Sequence, residues 1–275
     1  MREDGTRLPS RRGILPSSGL AERIRQPWQT ALDLHDTSMM PTPPEIVLAS
    51  LVMAAGAALQ ASVGLGMALF VVPILAIIDT RFVPGPIMFA GIVLAAATAW
   101  RDRAAVDHAT LRASLLGLAV GTAAGVAALG FISGPLLPKV FGGLILTAVA
   151  ISIASPPVAA TRRSLWLGST AAGVMGAMVG IHGPAIALVL QNAKPMQVRA
   201  TLGAFFAIGY VIAVAFRALA GLFGIAELVL GLALLPGVAI GYLVAPAISR
   251  FIDQTKMRIA ILTISSASAI SLLLR

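Results

Sequence analysis

The sequence predicts an all-α polytopic membrane protein built from two inverted repeats, each a broken-helix hairpin followed by three transmembrane helices. Three observations support this: the apolar composition, an internal match at a constant shift, and the distribution of basic residues between the loops. Of 275 residues, 58% are hydrophobic and 11% are charged, with a mean hydropathy of +0.92. A soluble chain cannot bury so much apolar surface, so the composition excludes soluble enzymes and disordered proteins.

The charged and metal-binding residues exclude further classes. There is no cysteine, which excludes disulfides and thiolate chemistry, and three histidines argue against a multi-histidine metal site. We therefore predict no cofactor. Within residues 1–45, six arginines balance six acidic residues, so the net charge of +9 arises in the rest of the chain. The excess cations flank apolar spans, as lipid-headgroup contacts do, and form no basic stripe with interleaved aromatics, so no nucleic-acid partner is predicted.

Three regions follow from the hydropathy. Residues 1–45 are polar and predict a disordered tail, residues 46–154 form a first transmembrane repeat, and residues 165–274 form a second. The tandem Met39-Met40 leaves open whether residues 1–38 belong to the native protein. Ten apolar segments follow the tail: 46–63, 67–78, 82–100, 113–131, 138–154, 165–179, 183–193, 199–217, 228–247 and 257–274.

The run 46–78 is the first sign of broken helices. As one helix it would be about 50 Å long, too long for one ~30 Å crossing and short for two. Gly64-Leu65-Gly66 lies near its middle. We therefore expect a pair of short helices broken at these glycines.

A gapless shift of 116 residues aligns the two halves, which indicates a duplicated unit. It aligns Val63-Gly64 with Val179-Gly180, Arg101 with Arg217, and Gly121 and Gly125 with Gly237 and Gly241. For the last four glycines we favour close helix packing over a site.

The basic residues orient the repeats. If 46–78 enters and leaves on one side, the segments 101–112, 155–164, 194–199 and 249–258 share a side and hold ten Lys and Arg, against four on the other side. A single crossing of 46–78 would give seven on each side. The positive-inside rule thus favours inverted repeats, with the ten-residue side cytoplasmic.

The two breaks occupy equivalent places and predict a binding site. Irregular backbone inside a membrane is tolerated where it lines a cavity, and helix N-termini there present free N–H groups to anions. Close packing of the glycines is the simpler alternative. The candidate residues at the breaks are Ser62, Gly64, Gly66, Met67, Gly180, His182, Gly183 and Pro184.

Further polar residues are candidates, each with an alternative. His182 donates to an anion or switches with pH, or it simply bonds a neighbouring helix. Arg101 and Arg217 attract anions to the two mouths, or snorkel to headgroups. Gln60, Ser62 and Gln191 donate hydrogen bonds to a substrate or to another helix, and Arg199 binds substrate or anchors the topology.

The acidic residues fall at the ends of spans or in loops, which argues against a carboxylate-based proton pump. An anion moving outward gains about 2.3 kcal/mol per charge and 100 mV. Proton or sodium coupling through backbone carbonyls stays open.

The breaks also resemble a known family. Gly64-Leu65-Gly66 followed by Val72-Pro73 and Leu75, and Gly180-Ile181-His182-Gly183-Pro184 followed by Arg199-Ala200-Thr201, resemble the two motifs of the TauE/SafE family of sulfite and organosulfonate exporters. The resemblance runs over residues 46–274 and implies anion export across the bacterial inner membrane. Met67 and His182 stand where glycine is common in the family.

Together these features predict a secondary transporter that exports a small anion of the sulfite or organosulfonate class, not an enzyme. Import of sulfate, thiosulfate or another small anion is an alternative. An intramembrane enzyme is disfavoured by the lack of an Asp-rich cluster or a G-x-S-x-G motif. A channel subunit is the third class, and a homodimer stays open.

Overall fold

The computed structural model describes residues 40–64, 67–132, 134–154, 158–248 and 254–274, which lie in one compact unit. The predicted tail and Gly66 lie outside these residues, apart from the end of the tail at residues 40–45. Within them the regular structure is helical, without strands. The helices are α1 Pro43–Val63, α2 Ala68–Ile78, α3 Gly85–Arg101, α4 His108–Leu129, α5 Leu137–Ala154, α6 Arg162–Val179, α7 Gly183–Leu190, α8 Pro195–Leu219, α9 Ile225–Ile248 and α10 Gln254–Leu273.

Each predicted apolar segment corresponds to one of these helices, so the all-α prediction is confirmed. Five helices are long and apolar enough to cross a membrane, namely α1, α4, α5, α8 and α9. The buried apolar side chains form two clusters. One surrounds α2 and includes Val71 and Leu75, and the other lies between α7 and α8 and includes Ile186 and Phe206.

Both predicted helix breaks are present. Gly64 ends α1 with φ 81°, and its N–H donates to the carbonyl of Gln60 at 2.8 Å. Gly180 ends α6 with φ 83°, and its N–H donates to the carbonyl of Gly176 at 2.8 Å. A left-handed residue that closes a helix in this way strongly favours glycine, which has no Cβ to clash. The two glycines are 116 residues apart, as the internal match requires.

The expectation of two short helices in the run 46–78 is wrong for its first member. α1 has 21 residues and α6 has 18, or about 31 and 27 Å. The return helices α2 and α7 have 11 and 8 residues, or about 16 and 12 Å. α1 and α6 begin three residues before their apolar runs because capping boxes at Thr42 and Thr161 start them early.

Glycines of α4 let it lie directly on the backbone of α6. A Cβ on Gly117 would lie 2.6 Å from the carbonyl oxygen of Trp166, and one on Gly121 would lie 2.1 Å from that of Thr170. The contacts advance together along both helices, so α4 and α6 run parallel. Small residues permit this close approach, which is the packing role expected for these glycines.

The same arrangement joins α9 to α1. A Cβ on Gly237 would lie 2.0 Å from the carbonyl oxygen of Ser50, and one on Gly241 would lie 2.1 Å from that of Ala54. These helices are therefore also parallel.

The gapless 116-residue shift does not hold for these packing glycines. Ser50 and Trp166 are 116 residues apart, but they contact Gly237 and Gly117, which are 120 apart. The packing thus matches Gly237 with Gly117 and not with Gly121. The two spacings differ by four residues, which is about one turn of helix. A shift of one turn keeps the same row of side chains against the neighbouring helix, so the close packing is preserved.

Several contacts place helix ends together at one end of the bundle, here named the Asp102 end. The contacts there join α3 to α8 through Asp102 and Arg199, α4 to α8 through Asp107 and Thr201, α6 to α7 through Val158 and Asn192, and α5 to α10 through Ser152 and Arg258. At the opposite end, Gly85 at the start of α3 packs on Glu227 at the start of α9. The hairpin α1–α2 therefore starts and finishes opposite the Asp102 end, and α6–α7 starts and finishes at it.

Candidate anion site at the second helix break

A cavity of about 250 Å³ lies against the second helix break. The start and one face of α7 form one wall, and α2, α5, α8 and α10 form the others. The cavity extends from the break toward the Asp102 end. Its lining residues are Ala68, Leu69, Ile151, Ser152, Ile181, His182, Gly183, Pro184, Ala187, Leu188, Gln191, Leu202, Phe206, Tyr210, Arg258, Ile261 and Leu262.

His182 is the polar side chain at the inner end of this cavity, and it is only 1% exposed. Its ring meets the ring of Tyr210 edge-on, with centroids 4.8 Å apart. Neither ring nitrogen makes a well-formed hydrogen bond to a described residue, although the backbone of Gly180 lies close to the ring. Burying a polar group without a partner costs free energy, so the ring favours a ligand that forms a hydrogen bond with it.

Two glycines make the seat for this imidazole. A Cβ on Gly176 of α6 would lie 2.1 Å from Nε2 of His182, and a Cβ on Gly209 of α8 would lie 3.1 Å from its Cδ2. The ring therefore lies directly on the backbone of α6, where any larger residue would displace it.

The start of α7 adds a second anion-binding feature. His182 is the N-cap residue, and its side chain makes no capping hydrogen bond. The first N–H groups of a helix have no intrahelical acceptor, and here Pro184 supplies none, which leaves Gly183 and Ala185. These donors and the positive end of the helix dipole favour an anion beside His182.

A positive charge lies at the other end of the cavity. Arg258 of α10 lines it and donates from Nη2 to the carbonyl oxygen of Ser152 on α5. Gln191, directly after α7, lines the same region. The cavity thus has a polar group at each end of the short helix α7.

The sequence predicted only part of this lining. His182, Gly183, Pro184 and Gln191 are in it, whereas Tyr210, Ser152 and Arg258 were not predicted as site residues. Arg258 was counted only as a loop charge. The 116-residue shift aligns it with Gly142, so the repeat gave no signal for it.

Side chains at the first break bond to nearby backbone, although Nε2 of Gln60 has no hydrogen-bond partner among the described residues. The side-chain Oε1 of Gln60 accepts a hydrogen bond from the N–H of Met67 at 2.7 Å, and both residues are buried. Ser62 donates from Oγ to the carbonyl of Ala245 at 3.1 Å. Ala68 and Leu69 reach the cavity, but Gln60, Ser62 and Met67 are not in its lining.

Arg101 and Arg217 hold the ends of the two broken helices. Arg101 donates to the carbonyl oxygen of Ala61 at 2.8 Å, and Arg217 donates to that of Ala177 at 3.1 Å. Both carbonyls lie in the last turn of a helix, where acceptors are unused and the dipole is negative. Neither arginine lines the cavity, and a role in attracting anions stays a prediction.

Arg199 covers the outside of the first break. A Cβ on Gly64 would lie 2.6 Å from Cγ of Arg199. Arg199 donates from Nε to Asp102 at 2.9 Å, and Asp102 also accepts from Arg101 at 3.3 Å. Burial of Asp102 opposes its ionisation, but the hydrogen bonds from the two arginines outweigh burial and lower its pKa below the ordinary 3.8.

Apolar helices in a bundle, two hairpins that return to their own side, and a cavity at a helix break define a polytopic membrane transporter. Residues 48–272 match the model of the family described as sulfite exporter TauE/SafE, and the chain belongs to that family. No curated protein and no solved structure matches the chain. Membership makes it a multi-pass membrane transporter for sulfur-containing anions.

Proposed function

We propose that the protein is a secondary transporter that exports a small sulfite-class or organosulfonate anion across the bacterial inner membrane. The observation that carries the proposal is the cavity at the second break, where the unpartnered ring of His182 lies beside the start of α7. Both groups offer N–H donors to the oxygens of a sulfur oxyanion.

The inverted orientation of the repeats is part of the proposal. It is supported by the parallel pairs α1–α9 and α4–α6, each joining the first helix of one repeat to the fourth of the other. It is also supported by the matching bonds Arg101 to Ala61 and Arg217 to Ala177, with donors and acceptors each 116 residues apart.

The direction follows from the charges and from the cavity. The Asp102 end carries the basic loops that the positive-inside rule assigns to the cytoplasm. The cavity extends toward this end, so it is loaded from the cytoplasm in the described conformation. Export of one negative charge then gains about 2.3 kcal/mol per 100 mV, and export needs no buried carboxylate. Coupling to protons or sodium is the alternative to transport on this gradient alone.

Transport into inside-out vesicles tests the proposal. Vesicles that contain the protein should accumulate labelled sulfite or a short sulfonate when the interior is made positive, and His182→Ala should reduce the initial rate. Arg103→Gln is the matched control, because Arg103 lies over the ring of Trp100 outside the cavity. Vesicles that accumulate neither anion above the level of protein-free vesicles would refute export.

A further inference from the structure

The wall of the cavity between its two polar ends is apolar. His182 and the start of α7 lie at one end, and Arg258, Ser152 and Gln191 lie at the other. α7 has eight residues, so these ends are separated by about 12 Å. The side chains that line the space between include Leu188, Leu202, Phe206, Ile151, Ile261 and Leu262.

This wall is a poor environment for a small inorganic dianion. A sulfite ion is too small to contact both ends at once, and along the wall its oxygens would lose water without gaining donors. The arginine that lines the cavity, Arg258, lies at its far end and gives the wall itself no donor.

The volume limits the ligand to a small molecule. About 250 Å³ is below the usual range for sites that enclose drug-sized molecules. An aliphatic body of a few carbons would fill the apolar wall while its anionic group reached the donors at one end. Each buried methylene should then raise the affinity about fourfold.

We infer that the cavity selects an organic anion with a short aliphatic body over sulfite and over equally small hydrophilic sulfonates. The inference rests on the proposed function, because it specifies the substrate class of the same site. The aliphatic body supplies most of the selectivity, and the anionic group fixes the orientation.

A ligand series on the purified full-length protein tests this. Methane-, ethane-, propane-, butane- and pentanesulfonate, with 2-aminoethanesulfonate and sulfite, are compared by thermal shift and by competition in the vesicle assay. We expect affinity to rise about fourfold per methylene until the cavity is filled. We expect butanesulfonate to bind at least tenfold more tightly than sulfite or 2-aminoethanesulfonate.

A pair of alanine-to-leucine variants localises the effect. Ala187→Leu adds volume to the lining of the cavity, so the optimum chain should become shorter while binding of methanesulfonate stays within twofold. Ala218→Leu makes the same change on an exposed part of α8 and should leave the whole series unaltered.

The outcomes separate the inference from the proposed function. Transport of sulfite, together with sulfonate affinities that do not change with the length of the alkyl chain, would overturn the inference and leave the proposed function intact. A chain-length trend that Ala187→Leu and Ala218→Leu alter equally would also overturn it, because the apolar contact would then lie elsewhere. Failure to bind or transport any of these anions would refute both.

Discussion

The two helix breaks share a backbone but differ in what fills them. Gly64 and Gly180 have the same left-handed conformation and close the same turn. At the first break the side chain of Gln60 turns inward and accepts the N–H of Met67. The position 116 residues later is Gly176, and its missing side chain leaves room for the ring of His182.

The two breaks differ in how their polar groups are satisfied. At the first break the side chain of Gln60 accepts the N–H of Met67, while its Nε2 has no hydrogen-bond partner among the described residues. A histidine that follows the helix fills the second break without satisfying itself. We therefore propose that the first break, whose polar side chains do not line the cavity, is structural and that the second break binds the anion. The following variants test that distinction, from the largest effect to the smallest.

Gly176→Ala should give the largest effect. Its Cβ would lie 2.1 Å from Nε2 of His182, and overpacking of this kind destabilises by about 1–3 kcal/mol. Unfolding of the detergent-solubilised protein measures the loss. In Gly176→Ala/His182→Ala the clash is gone, so we expect a coupling of at least about 1 kcal/mol between the two sites. Strictly additive effects would show that the ring does not occupy this seat.

His182→Ala should weaken anion binding at least tenfold, because a hydrogen bond to a charged group contributes about 1.5–3 kcal/mol. Binding of a sulfonate to the purified protein measures it. Gln60→Ala is the matched change at the first break. It leaves the N–H of Met67 without its acceptor, so it should reduce stability by about 1–3 kcal/mol and leave anion affinity unchanged. The reverse pattern would exchange the roles of the two breaks.

Arg258→Gln removes the positive charge at the outer end of the cavity. We expect the apparent affinity for a monoanion to fall about fivefold at low salt, equivalent to about 1 kcal/mol, and by less at high salt because the charge is partly screened. Initial rates at two ionic strengths measure this. Arg103→Gln removes a cation at the same end but outside the cavity, and an equal loss there would mean that only general surface charge matters.

Asp102→Asn should have the smallest effect. It removes the carboxylate that binds Arg199 and Arg101 at the first break. The pKa of Asp102 is lowered in the folded protein because the hydrogen bonds from two arginines outweigh burial. Its carboxylate therefore stabilises the fold at pH values above the pKa of the unfolded chain, near 3.9. That stabilisation is lost as the pH falls through the lowered pKa. We expect at most about 1 kcal/mol, seen as a difference between wild type and variant at pH 7 that shrinks toward pH 3.

The quantity to measure is the difference in the free energy of unfolding between wild type and Asp102→Asn, because other acidic residues titrate in the same pH range. The pKa of Asp107 is also lowered, mainly because it accepts a hydrogen bond from the backbone of Thr110. If this difference in stability stayed constant from pH 7 to pH 3, the charge of Asp102 would not stabilise the fold.

Local signals in the sequence predicted the helices and their breaks well. The apolar runs located all ten described helices, and the glycines at 64 and 180 located both breaks, because a left-handed helix end depends on the residue at that point. Chain spacing alone failed for the packing glycines. The register between α4 and α6, and between α9 and α1, depends on contacts between distant segments. In the structure the equivalent packing glycines are one helical turn away from the positions that the 116-residue shift predicts.

The sequence by itself determined that this is an all-helical membrane transporter of the TauE/SafE family with two equivalent breaks, because hydropathy, glycine geometry and the family motif are properties of short stretches of chain. Only the tertiary structure decided which break carries the cavity, placed Tyr210 against His182, and placed Arg258 and Ser152 at the other end of the same cavity. Those four residues come from α10, α8, α5 and the break before α7. Their placement around one cavity depends on how helices distant in the chain pack, which no local pattern encodes.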